Sequence, residues 1–164
     1  MTKETYLKIT EKMRENPKRA GVVKHVDRIL TGFVYCIYPL YLLALFLEKE
    51  EFLLKAVLVP AISFAAVSVF RNVYNAPRPY EKFGVPPVLE KETKGKSFPS
   101  RHVFSVFVIA MAIFYLHSGA GVMLGLVGIG LAVIRVLGGV HEPKDVIAGA
   151  IVGIVSGIIG FYII

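Results

Sequence analysis

Residues 96–116 read KSFPSRHVFSVFVIAMAIFYL, a polar head joined directly to an uncharged apolar run. From Val103 to the turn at His117-Ser118-Gly119 the run is fourteen residues long, roughly 21 Å of helix at 1.5 Å per residue. A bilayer's hydrocarbon core is about 30 Å thick. A helix that crosses it must therefore begin at Ser100 or earlier, which draws Ser100, Arg101 and His102 to headgroup depth. Arg and His are costly near hydrocarbon and mark functional positions there.

The rest of the chain fits a membrane protein. Of its 164 residues, 55% are hydrophobic and only 19% charged. No Asp, Glu, Lys or Arg interrupts 29–47, 103–134 or 146–164. Uncharged runs of this length are the mark of membrane-spanning helices. The fold class expected is an all-α integral membrane bundle of five spans: 29–47, 52–70 with Pro60 as a kink, one from about Ser100 to Leu116, 120–137 and 146–164. Gly149, Gly153 and Gly157 form a ridge on the last span that lets another helix approach closely.

Two regions bracket this bundle. Residues 1–28 lack the apolar core and cleavage site of a signal peptide and carry eight Lys or Arg. Tyr6, Leu7, Ile9 and Met13 give them a weak apolar stripe. A basic helix on an anionic membrane face is expected, with a solvated tail as the alternative. Residues 29–164 form the transmembrane domain, in which the proline-rich segment 71–99 is expected as a surface loop. The lone Cys36 makes no internal disulfide.

Five spans place three polar clusters on one face. In RNVYNAPRPY (71–80), Arg71 and Arg78 offer planar forks for phosphate; snorkelling to headgroups is the alternative. In PSRH (99–102), Pro99 ends whatever precedes it, and free N–H groups at Ser100 face an anion. Arg101 adds charge, and His102 can protonate a departing oxygen. In IRVLGGVHEPKD (134–145), Arg135 ends a span, Gly138 and Gly139 permit a tight turn, and Pro143 suits a first helical turn. His141 and Asp145 are four apart, so the carboxylate can hold one ring nitrogen and leave the other free to attack. Capping its own helix is the bland role for Asp145. The acids Glu81, Glu90, Glu92 and Glu142 lack metal-ligand spacing, so the reading needs neither metal nor cofactor. The set suits phosphoryl transfer to histidine, with arginines neutralising the phosphate.

These blocks resemble the tripartite signature of the type 2 phosphatidic acid phosphatase superfamily. Arg71, six residues and Arg78-Pro79 match the first part, Pro99-Ser100-Arg101-His102 the second, and Arg135, five residues, His141, three residues and Asp145 the third. Arg71 stands for the family lysine, Arg101 for a glycine, and Ile134 for a serine whose hydroxyl is lost. The resemblance implies that His141 is the nucleophile that forms a phosphohistidine and Asp145 its orienter. His102 is implied as the general acid, with Arg71, Arg78, Ser100 and Arg135 as phosphate ligands, and Arg101 is expected to add a contact that suits a diphosphate. It also implies a membrane lipid phosphatase acting on a polyprenyl diphosphate such as undecaprenyl diphosphate, with phosphatidic acid and phosphatidylglycerol phosphate as rivals.

The partners expected are a lipid phosphate and the membrane, not nucleic acid, and oligomeric state is unread. A non-catalytic phospholipid-binding protein or a transporter is the alternative class. Haloperoxidases of the superfamily are soluble, unlike this chain. The plasma membrane of a bacterium or archaeon is expected. Of the 19 Lys and Arg, all but Lys49 and Lys55 fall on the site's side. By the positive-inside rule that face is cytoplasmic, whereas most bacterial members of the superfamily face outward.

Overall fold

The structure is a computed structural model, and it describes residues 1–91 and 93–164. Glu92, counted above among the loop acids, lies outside them. Seven α-helices occur in chain order, and no strand appears among the described residues. They are α1 (Lys3–Arg14), α2 (Pro17–Leu47), α3 (Leu53–Tyr74), α4 (Pro79–Phe83), α5 (Arg101–Leu116), α6 (Ser118–Leu137) and α7 (Pro143–Ile158), the last extended by a π-helical turn at Ile159–Ile163. The segments built on α2, α3, α6 and α7 have the length and apolarity to cross a membrane, and α5 is apolar but shorter. The chain is an all-helical integral membrane protein.

α5 is the axle. Val103, Phe104, Val106, Val108, Ile109, Ala110, Ala112 and Ile113 are all buried, and α2, α3, α6 and α7 pack around it. Its neighbours turn Ile62, Met123 and Ile147 outward, each more than half exposed, as lipid-facing residues should be. This accounts for the short apolar run of α5: a helix sheathed in other helices need not itself match the bilayer. Ser100 is its N-cap.

Inside a bilayer, lipid is as apolar as a leucine, so helices associate by close packing. α7 achieves this through its glycines. A Cβ on Gly149 would lie 2.6 Å from the Ser100 carbonyl oxygen, and one on Gly153 would lie 2.7 Å from that of Phe104. The glycine ridge is thus the surface on which α7 meets α5. Tyr41 of α2 donates its hydroxyl to the Ala112 carbonyl of α5 at 3.1 Å, tying a third helix to the axle.

Three expectations need correction. Part of the apolar stripe of α1 packs on protein: Tyr6 is buried, and Leu7, Ile9 and Met13 are half-buried. Tyr6 and Thr10 are fully buried, and the Tyr6 hydroxyl donates to the carbonyls of Val85 and Gly139, both at 3.3 Å. Val88, Leu89 and Val140 form an apolar patch with Val23 of α2, which Met13 of α1 helps cover. α2 then runs unbroken from Pro17 through residue 28 to Leu47, so its basic start and its apolar span are one helix. Lastly, segment 71–99 is not merely a surface loop. α3 continues to Tyr74, where Asn75 closes it in the left-handed region (φ 42°), α4 follows, and Val88, Leu89 and Ser97 are buried.

Candidate active site

The site forms where α3, α5, α6 and α7 have their ends on one face, with residues 75–91 and 93–100 beside them. It begins at a helix junction: the Ser100 backbone N–H donates to the Asp145 carbonyl at 2.8 Å, joining the start of α5 to the first turn of α7. Gly149 makes this approach possible. The turn that enters α7 needs Gly139 at φ 71°, a left-handed conformation that glycine adopts without strain. His141 follows it, buried.

Asp145 Oδ2 gathers three partners. The Ser97 hydroxyl donates to it at 2.6 Å, the Glu142 N–H donates to it at 3.0 Å, and His141 Nδ1 lies 3.4 Å away. Asp145 therefore caps its own helix and faces the histidine at once; the two roles read as alternatives in the sequence coexist. Ser97 Oγ also lies 3.4 Å from His141 Nδ1. With Nδ1 turned to the carboxylate, Nε2 is left for an incoming group. Burial holds the His141 imidazole down at about 4, against an upward pull from its hydrogen bond to Asp145, with Arg78 and Arg71 lowering it further. The ring is neutral at pH 7, with its lone pair available.

Three arginines from three elements are buried at the same end: Arg71 of α3, Arg78 before α4, and Arg135 of α6. Arg71 donates to the carbonyls of Lys96, Ser97 and Pro99. Its guanidinium thus pins the strand of chain that carries Ser97 and Ser100. Arg78 Nε donates to the Gly95 carbonyl at 3.1 Å, and its Nη1 to that of Val140, also at 3.1 Å. Arg135 Nη2 donates to Thr31 Oγ1 of α2 at 3.3 Å. Its Nε lies 3.0 Å from Asp27 Oδ1, yet the N–H is not aimed along that line and neither atom completes a hydrogen bond among the described residues. The contact is an ion pair, with directional capacity to spare.

Ser100 Oγ is fully buried and likewise has no hydrogen-bond partner among the described residues. A buried hydroxyl without a partner is uncommon; at a helix N-terminus amid arginines it fits an anion's oxygen. His102 lies in the first turn of α5. Arg101 differs from the other cations: it is exposed and its guanidinium lies over the Phe64 ring, 5.2 Å from the centroid. Among the described residues no group of three His, Cys, Asp or Glu side chains is placed to hold a metal.

The structure thus brings His141, Asp145, Ser100, Arg71, Arg78 and Arg135 to one buried end, with His102 in the first turn of α5 and Arg101 exposed beside it. Sequence reasoning missed Ser97, Asp27 and Thr31. Asp27 did carry a signal, as an acid in a basic stretch two residues ahead of the first uncharged run.

A polar cavity of about 350 Å³ adjoins Asp145 on the aqueous side, lined in part by Asn75, Lys82, Glu142 and Lys144.

Comparison with known proteins points the same way. A profile described as the PAP2 superfamily matches residues 52–164, from the start of α3 onward. The bacitracin transport permease protein BcrC of Bacillus licheniformis is 33% identical over 86 residues, covering 51% of this chain and 42% of that relative. The chain thus spans about two fifths of that relative's length in the match. The crystal structure of Aquifex aeolicus LpxE superposes with a TM-score of 0.73 at 27% identity, over 96% of this chain and 92% of that one.

Proposed function

This chain belongs to the PAP2 superfamily, and on that footing we propose that it hydrolyses a lipid phosphate or diphosphate at the membrane surface. The observation that carries the proposal is the buried His141–Asp145–Ser97 group beside three arginines and the unpartnered Ser100 hydroxyl. Such a set binds a phosphate and attacks it. Nε2 of His141 forms a bond to phosphorus as the bond to the lipid oxygen breaks, and His102 gives that oxygen a proton. His102 then takes a proton from water as the water's oxygen bonds to phosphorus and the N–P bond breaks, which releases inorganic phosphate and restores the histidine. The polar cavity beside Asp145 offers a route for that water. Arg71, Arg78, Arg135 and Ser100 offset the charge throughout.

A polyprenyl diphosphate is the favoured substrate, ahead of phosphatidic acid and phosphatidylglycerol phosphate. Arg101 supports this, since a cation at the rim suits a second phosphate. Arg101→Gly is then expected to lower diphosphate turnover more than monophosphate turnover; equal losses would remove the preference.

Transport is the second reading, in view of the relative's name. It needs a polar route through the bundle. The half of the bundle away from the site instead packs Leu45, Phe52, Ala56, Ala112 and Phe161 into an apolar cluster, which disfavours one.

Phosphate release from these lipids by the purified protein tests hydrolysis. Wild type should turn over with an acid-labile phosphoenzyme trapped at His141, and His141→Ala should abolish both. Full turnover by His141→Ala would sink the reading.

A further inference from the structure

Residues 88–91 and 93–97 form a strap across the end of the bundle, pinned along its length. The Val88 and Leu89 N–H groups donate to the Gly138 carbonyl at 3.0 and 3.1 Å, where α6 ends. Glu90 pairs with Lys24 of α2. The Tyr80 hydroxyl donates to the Thr93 carbonyl. Beyond it, Arg78 donates to the Gly95 carbonyl and Arg71 to those of Lys96 and Ser97. Two of the arginines assigned to phosphate are thus the strap's own anchors.

Lys91 rides on this strap, and its place follows from the pins. Lys24 and Asp27 are three apart on α2 and so share a face. Glu90 holds Lys24, while Asp27 is ion-paired to Arg135 at 3.0 Å, which carries residue 91 past the Arg135 guanidinium. Lys91 is half-buried there. Burial, then repulsion from Arg78, Arg135, Arg101 and Arg71, hold its ammonium down to about 8, which leaves it mostly charged at pH 7. A cation repelled by all four arginines stands among them, although none of the three motifs contains it. Like charges gathered in a half-buried space destabilise one another until an anion lies between them. One phosphate group carries about −1.5 to −2 at pH 7, and four arginines already answer it.

We infer that Lys91 binds the inner phosphate of a terminal diphosphate, across from Arg101, and so favours diphosphate over monophosphate substrates. The inference rests on the hydrolysis proposed above. In that reaction Nε2 of His141 bonds to the terminal phosphorus as the bond from that phosphorus to the bridging oxygen breaks. The bridging oxygen leaves on the inner phosphate and takes a proton from His102. The inner phosphate therefore lies beside His102, whose ring feels the charges of both Lys91 and Arg101. The two cations come from different flanks: Arg101 lies over Phe64 of α3, and Lys91 hangs from the strap pinned to α2 and α6. A monophosphate places only its ester oxygen and lipid chain there, and gives Lys91 no second anion to hold.

Binding separates this contact from a general effect of charge. Methylenediphosphonate, whose P–C–P bridge resists hydrolysis, and inorganic phosphate are each titrated calorimetrically into the full-length protein in nanodiscs. Lys91→Met is expected to weaken methylenediphosphonate about tenfold more than phosphate, the worth of one hydrogen bond to a charged group. Lys91→Arg keeps the charge and should restore most of the difference. Lys94→Met removes an exposed lysine from the same strap and should leave both affinities as in the wild type. Equal losses of the two ligands in Lys91→Met, or the same selective loss in Lys94→Met, overturn the inference. In turnover, Lys91→Met should lower kcat/KM for decyl diphosphate about tenfold more than for decyl phosphate, and equal losses overturn it too. Binding needs no turnover: a selective loss in a protein that releases no phosphate would remove the phosphatase reading and leave the Lys91 contact standing.

Discussion

His141 shows how a single residue's surroundings set its chemistry. Burial lowers its imidazole to about 4 from an ordinary 6.5. In the unfolded chain it would take up a proton near pH 6.5, whereas the native state stays neutral down to about 4. Between those values the unfolded state binds more protons, so native stability falls as pH falls through that window. The Tm of the wild type in detergent should therefore drop more steeply from pH 7 to 4.5 than that of His141→Gln; parallel profiles would refute this. Ser97 makes a tighter bond to Asp145 than His141 does, and hydrogen bonds to charged groups contribute roughly 1.5–3 kcal/mol. Ser97→Ala should accordingly lower kcat by about tenfold or more, with KM little changed. Asp27 plays a different part. It supplies counter-charge to Arg135, and Asp27→Asn leaves that guanidinium buried without it, a loss on the order of 3 kcal/mol. Inorganic phosphate should restore part of the lost Tm by occupying the same guanidinium, and a variant unmoved by phosphate would place Arg135 outside the anion site.

Among the elements, the α5–α7 pair joins stability to catalysis. The Ser100 N–H bonds the Asp145 carbonyl only because α7 presents glycine there. A methyl on Gly149 would force the backbones apart at the site itself. One on Gly125 of α6 meets nothing within 4 Å. Gly149→Ala should lower the Tm by an amount equivalent to about 1–3 kcal/mol and reduce turnover, while Gly125→Ala is neutral or mildly stabilising; equal effects at the two positions would show that the ridge does not set this contact. Much of this pairing was legible in the sequence. The every-fourth-residue glycines announced a close-packed face, and the short apolar run placed a helix start at Ser100 or earlier, where the structure has Ser100 as the N-cap. The proximity of the motif residues was legible because each motif's spacing is local, so order and separation survive without coordinates. What could not be read depended on contacts between distant segments. The stripe on α1 shows only that something apolar meets it; the surfaces that do, Phe83 at Tyr6 and the Val88, Leu89 and Val140 patch at Met13, come from chain far away. Ser97 reaches Asp145 across 48 positions, with no periodicity to announce it.

For the molecule as a whole, the distribution of basic residues bears on which way it sits in the membrane. Lys49 and Lys55, near the turn between α2 and α3, are the two Lys or Arg at the end away from the site; the remaining 17 of 19 lie toward it. Arg71, Arg78, Arg101 and Arg135 belong to the proposed phosphate site and would sit there in either orientation. Setting them aside leaves 17 − 4 = 13 against 2. Topology follows Lys and Arg near the ends of spans, counted over short flanking segments, and the basic residues of α1 and the start of α2 immediately precede the first span. That bias favours a cytoplasmic site, where the substrate would be a lipid of the inner leaflet. Lys94 is exposed on the site's side. In a Cys36→Ala background, Lys94→Cys should react with a membrane-impermeant maleimide only after the cells are permeabilised. Labelling in intact cells would reverse the orientation and put the hydrolysed headgroup outside. The reacting residues would be unchanged in that case, because their geometry is fixed by helix ends and not by which compartment lies beyond them.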